Sequence, residues 1–158
     1  MRPANAIVTI ATVAVAAGGV AAAPHVSADG YPIIQQFGSE ETVATGGLNQ
    51  GYVGWTVNNL RPSSDSIDWP VQGRLWEATA TLRYVRGGCS LPYISRFNAR
   101  ASNGQDYPEL AAANTSEPIA RVCPGDQSTG KLYFDVAGPD PDGVVYRTDF
   151  TDLLIWVH

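Results

Sequence analysis

The 158-residue chain is short of the side chains from which most active sites are assembled, with two histidines (His25 and His158), two cysteines and a single methionine. Charged residues make up 16% of it, and no segment sustains a 3.6-residue apolar repeat or a heptad, so helix is a minor element at most. A Ser or Cys triad needs a base, most often His, held in place by a third group. His25 falls in an N-terminal leader and His158 is the last residue, where fraying is expected, so a His-based triad is nearly excluded. Zinc is disfavoured because no His or Cys cluster stands at ligand spacing.

A basic surplus is missing as well. Ten Lys and Arg face fifteen Asp and Glu, a formal charge of −5. Acidic chains do not seek phosphate backbones, which argues against nucleic acid as a partner, and they do not adhere to anionic membrane surfaces by charge alone. The charge is uneven. Arg74, Arg83, Arg86, Arg96 and Arg100 crowd the middle, while Asp126, Asp135, Asp140, Asp142, Asp149 and Asp152 load the last third. Either these are the solvated outer faces of two sheets or they form a bipolar binding surface.

What is present begins with a leader. Arg2 is its only charge, Ala4 to Ala23 is apolar apart from Asn5, Thr9 and Thr12, and Val26-Ser27-Ala28 fits a small-residue processing site. Residues 1–28 read as a secretion signal peptide cleaved after Ala28, with Ala21 to Ala23 as an earlier alternative. An uncleaved membrane anchor is the competing reading. Weak hydrophobicity, a single basic flank and Pro24 count against it, and the nearest cysteine for a lipid anchor is Cys89. Residues 29–158 are then one secreted, extracellular domain that needs no membrane after cleavage. Its net charge becomes −6 once Arg2 is lost. A domain of that size buries roughly two-thirds of its unfolded surface without metals or a dense disulfide framework. Two cysteines in an oxidising compartment make a Cys89–Cys123 disulfide the default, with free thiols as the alternative.

Sixteen glycines, eleven prolines and fifteen aromatic residues suit short strands joined by tight turns. Leu75 to Val85 alternates best. Trp76, Ala78, Ala80, Leu82 and Tyr84 share one face, with Glu77, Thr79, Thr81 and Arg83 on the other. Leu132, Phe134 and Val136 alternate in the same way against Lys131, Tyr133 and Asp135. Further strands are expected over Tyr31 to Phe37, Tyr52 to Leu60, Ile94 to Ala101, Ile119 to Cys123 and Leu153 to Val157. Turn residues separate them, among them Gly87-Gly88, Pro124-Gly125-Asp126, Asp140-Pro141-Asp142-Gly143 and the hairpin signal Asn103-Gly104. One short helical turn is expected around Glu109 to Ala113. Seven to eight strands with regular turns predict an all-β, two-sheet antiparallel sandwich. No Trp lies between the cysteines, as an antibody-type framework would require, so the core is expected to be filled by Trp55, Trp76 and Trp156, with Leu82 and Phe134.

Several blocks carry a family resemblance. They include Tyr31-Pro32-Ile33, Gly38-Ser39-Glu40, Gly54-Trp55, Pro70-Val71-Gln72-Gly73 leading into Trp76-Glu77-Ala78-Thr79-Ala80-Thr81, Phe97-Asn98-Ala99-Arg100, Gln127-Ser128-Thr129-Gly130-Lys131, Tyr133-Phe134-Asp135-Val136, Gly138-Pro139 and Asp152-Leu153-Leu154-Ile155-Trp156. In this order, spanning nearly all of the mature chain, they resemble the mycobacterial immunoprotective extracellular protein family, small secreted antigens. The resemblance implies an immunoglobulin-like β-sandwich, similar to those of adhesion and adaptor proteins, and no catalytic residues carry over from it. The cysteine pair departs from the family pattern, where apolar residues tend to stand, and the Asp140-Pro141-Asp142 loop is more acidic than its usual turn.

Three functional readings remain open. A glycosidase-like hydrolase needs two carboxyl groups about 5–10 Å apart, which Glu77, Asp135, Asp149 and Asp152 could supply, although Glu77 and Asp135 are expected on polar strand faces, where an acid is ordinarily solvated or paired with an Arg. A calcium module is suggested by Asp140-x-Asp142-Gly143, yet Val144 and Thr151 stand where an EF-hand needs ligands, and a carbohydrate module would rest on an exposed Trp69 stacking on a sugar. Asn114-Thr115-Ser116 matches a glycosylation acceptor pattern that is accidental in a bacterial chain. Trp69, between Asp68 and Pro70 in a connecting segment, either anchors a partner or folds back over the end of the sandwich. The reading adopted is a non-enzymatic surface-recognition protein with no cofactor, a protein or glycan partner outside the cell, and an oligomeric state that the sequence does not specify.

Overall fold

Alternating large apolar residues can be buried only by a second layer, and the chain supplies one. In a computed structural model, described here for residues 32–44, 51–89, 96–111, 123–147 and 151–158, nine strands form two facing sheets. These are β1 (Ile33–Gln36), β2 (Glu40–Ala44), β3 (Tyr52–Pro62), β4 (Arg74–Arg86), β5 (Arg96–Ala101), β6 (Asp106–Pro108), β7 (Gln127–Val136), β8 (Pro141–Arg147) and β9 (Asp152–Val157). One sheet has the order β1-β9-β8-β5-β6 and the other β2-β3-β4-β7. The leader, Asp149, Asn114 and the expected strand before Cys123 lie outside the described residues.

Trp76, Ala78, Ala80 and Leu82 of β4 turn inward and are buried, as are Leu132, Phe134 and Val136 of β7. The rings of the facing layers lock the two sheets together. Trp55 from β3 meets Phe97 edge-on at 5.1 Å and Tyr146 at 5.6 Å, both on the opposite sheet. Trp156 is fully buried in β9, and its indole NH donates to the Ser39 carbonyl at 3.0 Å. Its polar atom is thereby satisfied at the crossover where the chain leaves β1 for β2 in the other sheet.

Three features differ from the sequence reading. The sandwich is not wholly antiparallel, because β1 runs parallel to β9, with Ile33 opposite Leu154 and Gln36 opposite Val157. Almost the whole domain separates these two strands, so no tight turn constrains their relative direction. Second, Asp140-Pro141-Asp142-Gly143 is not a turn. The reversal comes earlier, at Gly138-Pro139, and β8 begins at Pro141, a strand-initial position that wastes no ladder donor. Third, of the helical turn expected around Glu109 to Ala113 the described residues show a 3-10 position at Ala111, while Glu109 lies in an isolated bridge to Phe134. With Leu110 NH donating to the Tyr133 carbonyl, it covers the outer edge of β7. The short strands β2, β6 and β8 escaped the sequence reading because each is too brief or too irregular to alternate visibly.

Candidate functional site

The longest described connection, residues 63–73 between β3 and β4, is shaped by a bulge that precedes it. Asn58 pairs with Thr79, but Arg61 pairs with Glu77, so two residues of β3 oppose one of β4. Asn59 takes φ 58°, a left-handed conformation that asparagine tolerates. The extra residue turns Arg61 to the same outer face as Glu77. Arg61 Nε and Nη2 donate to Glu77 Oε1 at 3.0 and 2.8 Å, while Ser63 Oγ and Lys131 Nζ donate to Oε2 at 2.7 and 3.0 Å. Asp65 accepts from Lys131 Nζ at 2.5 Å and from the Tyr133 hydroxyl at 2.6 Å.

Of the two settings expected for Glu77 on the polar face of β4, solvated or paired with an Arg, the structure shows the second, with Arg61 as the partner. Glu77 is 5% exposed. Burial pushes its carboxyl up, but the hydrogen bonds from Ser63, Arg61 and Lys131 outweigh this and hold it below the ordinary glutamate value. Hydrogen bonds from Lys131 and then Tyr133 likewise hold Asp65 below the ordinary aspartate value. Lys131 is raised by its bonds to Asp65 and Glu77, and the Tyr133 hydroxyl is pushed up to about 12, first by burial and then by donation to Asp65. Asp65 and Glu77 share one lysine, yet both are held ionised. That suits structural anchoring and is the reverse of the raised pKa that a general acid needs.

The far end of the loop is pinned too. Gln72 NH and Gly73 NH donate to the two Asp135 oxygens at 2.8 and 2.7 Å, and a Cβ on Gly73 would collide with the Val136 carbonyl. Arg74, the next residue, pairs with Asp140 and reaches the Gly138 carbonyl at 3.3 Å. Between these anchors Trp69 projects with 43% of its surface exposed. Ile34 on the edge strand β1 is the other large exposed apolar side chain among the described residues.

Comparison with known proteins accords with this architecture. Residues 32–156 match the model of a family described as "Domain of unknown function (DUF1942)". The chain belongs to the DUF1942 family. The immunogenic protein MPT63 of Mycobacterium tuberculosis is 44% identical over 150 residues, covering 93% of this chain and 92% of that protein, and the immunogenic protein MPB63 of Mycobacterium bovis gives the same figures. A crystal structure of MPT63, described as a secreted protein from M. tuberculosis, superposes with a TM-score of 0.74 at 41% identity. That alignment covers 82% of this chain and all of the other.

In this DUF1942 chain the remaining candidate residues are dispersed. Asp140 is bound to Arg74, whereas Asp142 sits exposed on β8, and among the described residues no group of three or more His, Cys, Asp or Glu is placed to hold a metal ion. Asp135 is occupied by backbone amides. Asp152 joins a closed ring of four charges on the outer face of the five-stranded sheet. Arg100 contacts Asp106 and Asp152, each at 2.6 Å, and Arg147 contacts the same two carboxylates at 3.2 and 3.4 Å. The hydrogen bonds to Asp106 and then Asp152 raise the Arg100 pKa further. The sequence-level separation of middle arginines from late aspartates thus resolves into cross-strand pairs. Arg83 belongs to the same pattern, pairing with Glu40 across Gly54, while Arg86 stacks over the Tyr52 ring at 4.1 Å. Cys89 and Cys123 are joined by a disulfide, and Cys123 NH is capped by Asp126 at 2.7 Å.

Sequence reasoning singled out Trp69 but missed Arg61, Asp65, Lys131 and Tyr133 as one network. The available signal was Asn58-Asn59, a pair suited to a bulge and poorly suited to a regular strand.

Proposed function

We propose that this chain is an exported, non-catalytic sandwich that acts by surface recognition of a host or cell-envelope partner, with the 63–73 loop as its contact element. One observation carries the reading. A tryptophan with 43% of its surface exposed lies within a loop that is anchored at both ends, by Asp65 to Lys131 and Tyr133 and by Gln72 and Gly73 to Asp135. Pre-organised aromatic side chains supply contact area at little cost in ordering, which is how recognition loops gain affinity. The relatives support the setting, since they are named for immunogenicity and the solved one is described as secreted. The cations around Glu77, Asp65 and Asp152 support recognition over carboxylate-pair hydrolysis, which requires one protonated acid.

The test is capture of partners from host-cell surfaces and from bacterial envelope with the exported form, alongside Trp69→Ala. Saturable binding that the variant loses is expected. Turnover in a glycan or ester hydrolase panel, abolished by changing one carboxylate, would overturn the proposal.

A further inference from the structure

We propose that Trp69 and the adjacent Asp68 receive a cationic side chain, an arginine or lysine presented by a protein partner, at the end of the sandwich where three connections meet. This inference rests on the recognition reading above and names the chemistry of the partner.

The β3–β4 loop, the β5–β6 turn (102–105) and the β7–β8 turn (137–140) emerge at the same end, as the registers of Arg74 with Val136 and Ala101 with Pro141 require. They are tied to one another. The Tyr107 hydroxyl, just after the β5–β6 turn, donates to the Pro139 carbonyl at 2.8 Å, and Arg74 holds Asp140 and the Gly138 carbonyl. The three connections are therefore tied together, and the loop that carries Trp69 is anchored to them through Gln72, Gly73 and Arg74.

Charge bookkeeping then selects the ligand. Three cations of the strands that flank the loop are already engaged: Arg61 by Glu77, Arg74 by Asp140, and Lys131 by Asp65 and Glu77. Asp68 and Asp142 are exposed, and neither has a hydrogen-bond or ion-pair partner among the described residues. A phosphate or carboxylate ligand would find Arg61, Arg74 and Lys131 already matched. A neutral sugar would gain stacking alone. A guanidinium or ammonium group gains both the face of the indole, through cation–π attraction, and a carboxylate next to it in sequence.

The probe is a short peptide, Gly-Arg-Gly-Arg-Gly, titrated into the folded chain while the Trp69 indole NH resonance is followed. Peptides with citrulline or glutamate in place of arginine, and a neutral oligosaccharide, serve as comparisons. Saturable movement of the Trp69 resonance with the arginine peptide alone is expected. With binding to the variants read by isothermal titration calorimetry, Trp69→Ala, which leaves the net charge unchanged, should weaken it by about three- to ten-fold, and Asp68→Asn by about two- to five-fold. Equal binding to Trp69→Ala would reduce the effect to diffuse charge attraction and overturn the inference. So would saturation by the citrulline peptide or the oligosaccharide. A partner captured through Trp69 that coexists with an inert arginine peptide defeats this inference alone and leaves the recognition reading standing.

Discussion

Gly73 NH donates to the Asp135 carboxylate at 2.7 Å, joining residues 62 positions apart and fixing the end of the loop that presents Trp69. Two amides converge on that one carboxylate, and the glycine admits no side chain against the Val136 carbonyl. Asp135→Ala should destabilise the fold by about 1 kcal/mol, since the two amides it releases are exposed and water takes over as their acceptor, read as a lower urea midpoint. The indole NH resonance of Trp69, identified by its loss in Trp69→Ala, should sharpen in Asp135→Ala as the loop loosens. Gly73→Ala should cost at least as much, since backbone must move to admit the methyl group.

The carboxylate network on β4 and β7 gives stability a defined acid dependence. Glu77 and Asp65 have folded pKa values below their ordinary 4.5 and 3.8. The unfolded chain therefore takes up protons first as pH falls, and unfolding is favoured with it. Their contribution is complete above about pH 5, declines below that, and is lost once pH drops beneath the folded values. A plot of urea midpoint against pH from 7 to 3 should be flat and then descend, with a shallower descent for Glu77→Gln. An unchanged slope in that variant would remove Glu77 from the account.

Arg100 bridges Asp106 of β6 and Asp152 of β9, two carboxylates from strands on opposite sides of β5 and β8. Arg100→Ala leaves Arg147 alone to face both acids. A loss of about 1–3 kcal/mol is expected. Faster hydrogen exchange in the three-residue strand β6 should accompany it, because that edge has only β5 to pair with in its own sheet.

Trp55 is the ring through which the two sheets touch most directly. Trp55→Ala should cost about 3–5 kcal/mol by transfer and cavity terms together, with loss of the near-ultraviolet circular dichroism that packed rings produce. Trp156→Phe keeps most of the packing and removes the donor to Ser39. It should cost only about 1 kcal/mol.

Reducing the Cys89–Cys123 bridge opens a constraint on 34 residues of separation. About 3–4 kcal/mol of stability should disappear in the chain-entropy description, visible as a lower melting temperature with reductant. A double Cys→Ser variant should show the same loss and no further response to reductant.

The inward faces of β4 and β7 and the burial of Trp55, Trp76 and Trp156 were legible from the amino-acid order. A two-residue apolar period places side chains on one face wherever the strand lies, so no knowledge of its neighbours is needed. The candidate site was legible only in its most conspicuous residue, Trp69. Nothing local marks Lys131 as the common partner of Asp65 and Glu77, or Asp135 as the anchor of Gln72 and Gly73. Those contacts link β7 to positions more than fifty residues earlier in the chain.

The sequence alone therefore determined a chain of alternating strands and turns, poor in catalytic groups, that must close two layers over its aromatic rings. Tertiary structure alone decided that β1 runs parallel to β9, that β8 begins where a turn was expected, and that Arg61 and Lys131 are the cations that meet at Glu77. The physical reason is one of range. Burial of a strand face follows from its own residues, whereas register, bulge and loop anchorage depend on which distant strand arrives beside it, and one extra residue in β3 is enough to change which side chains meet.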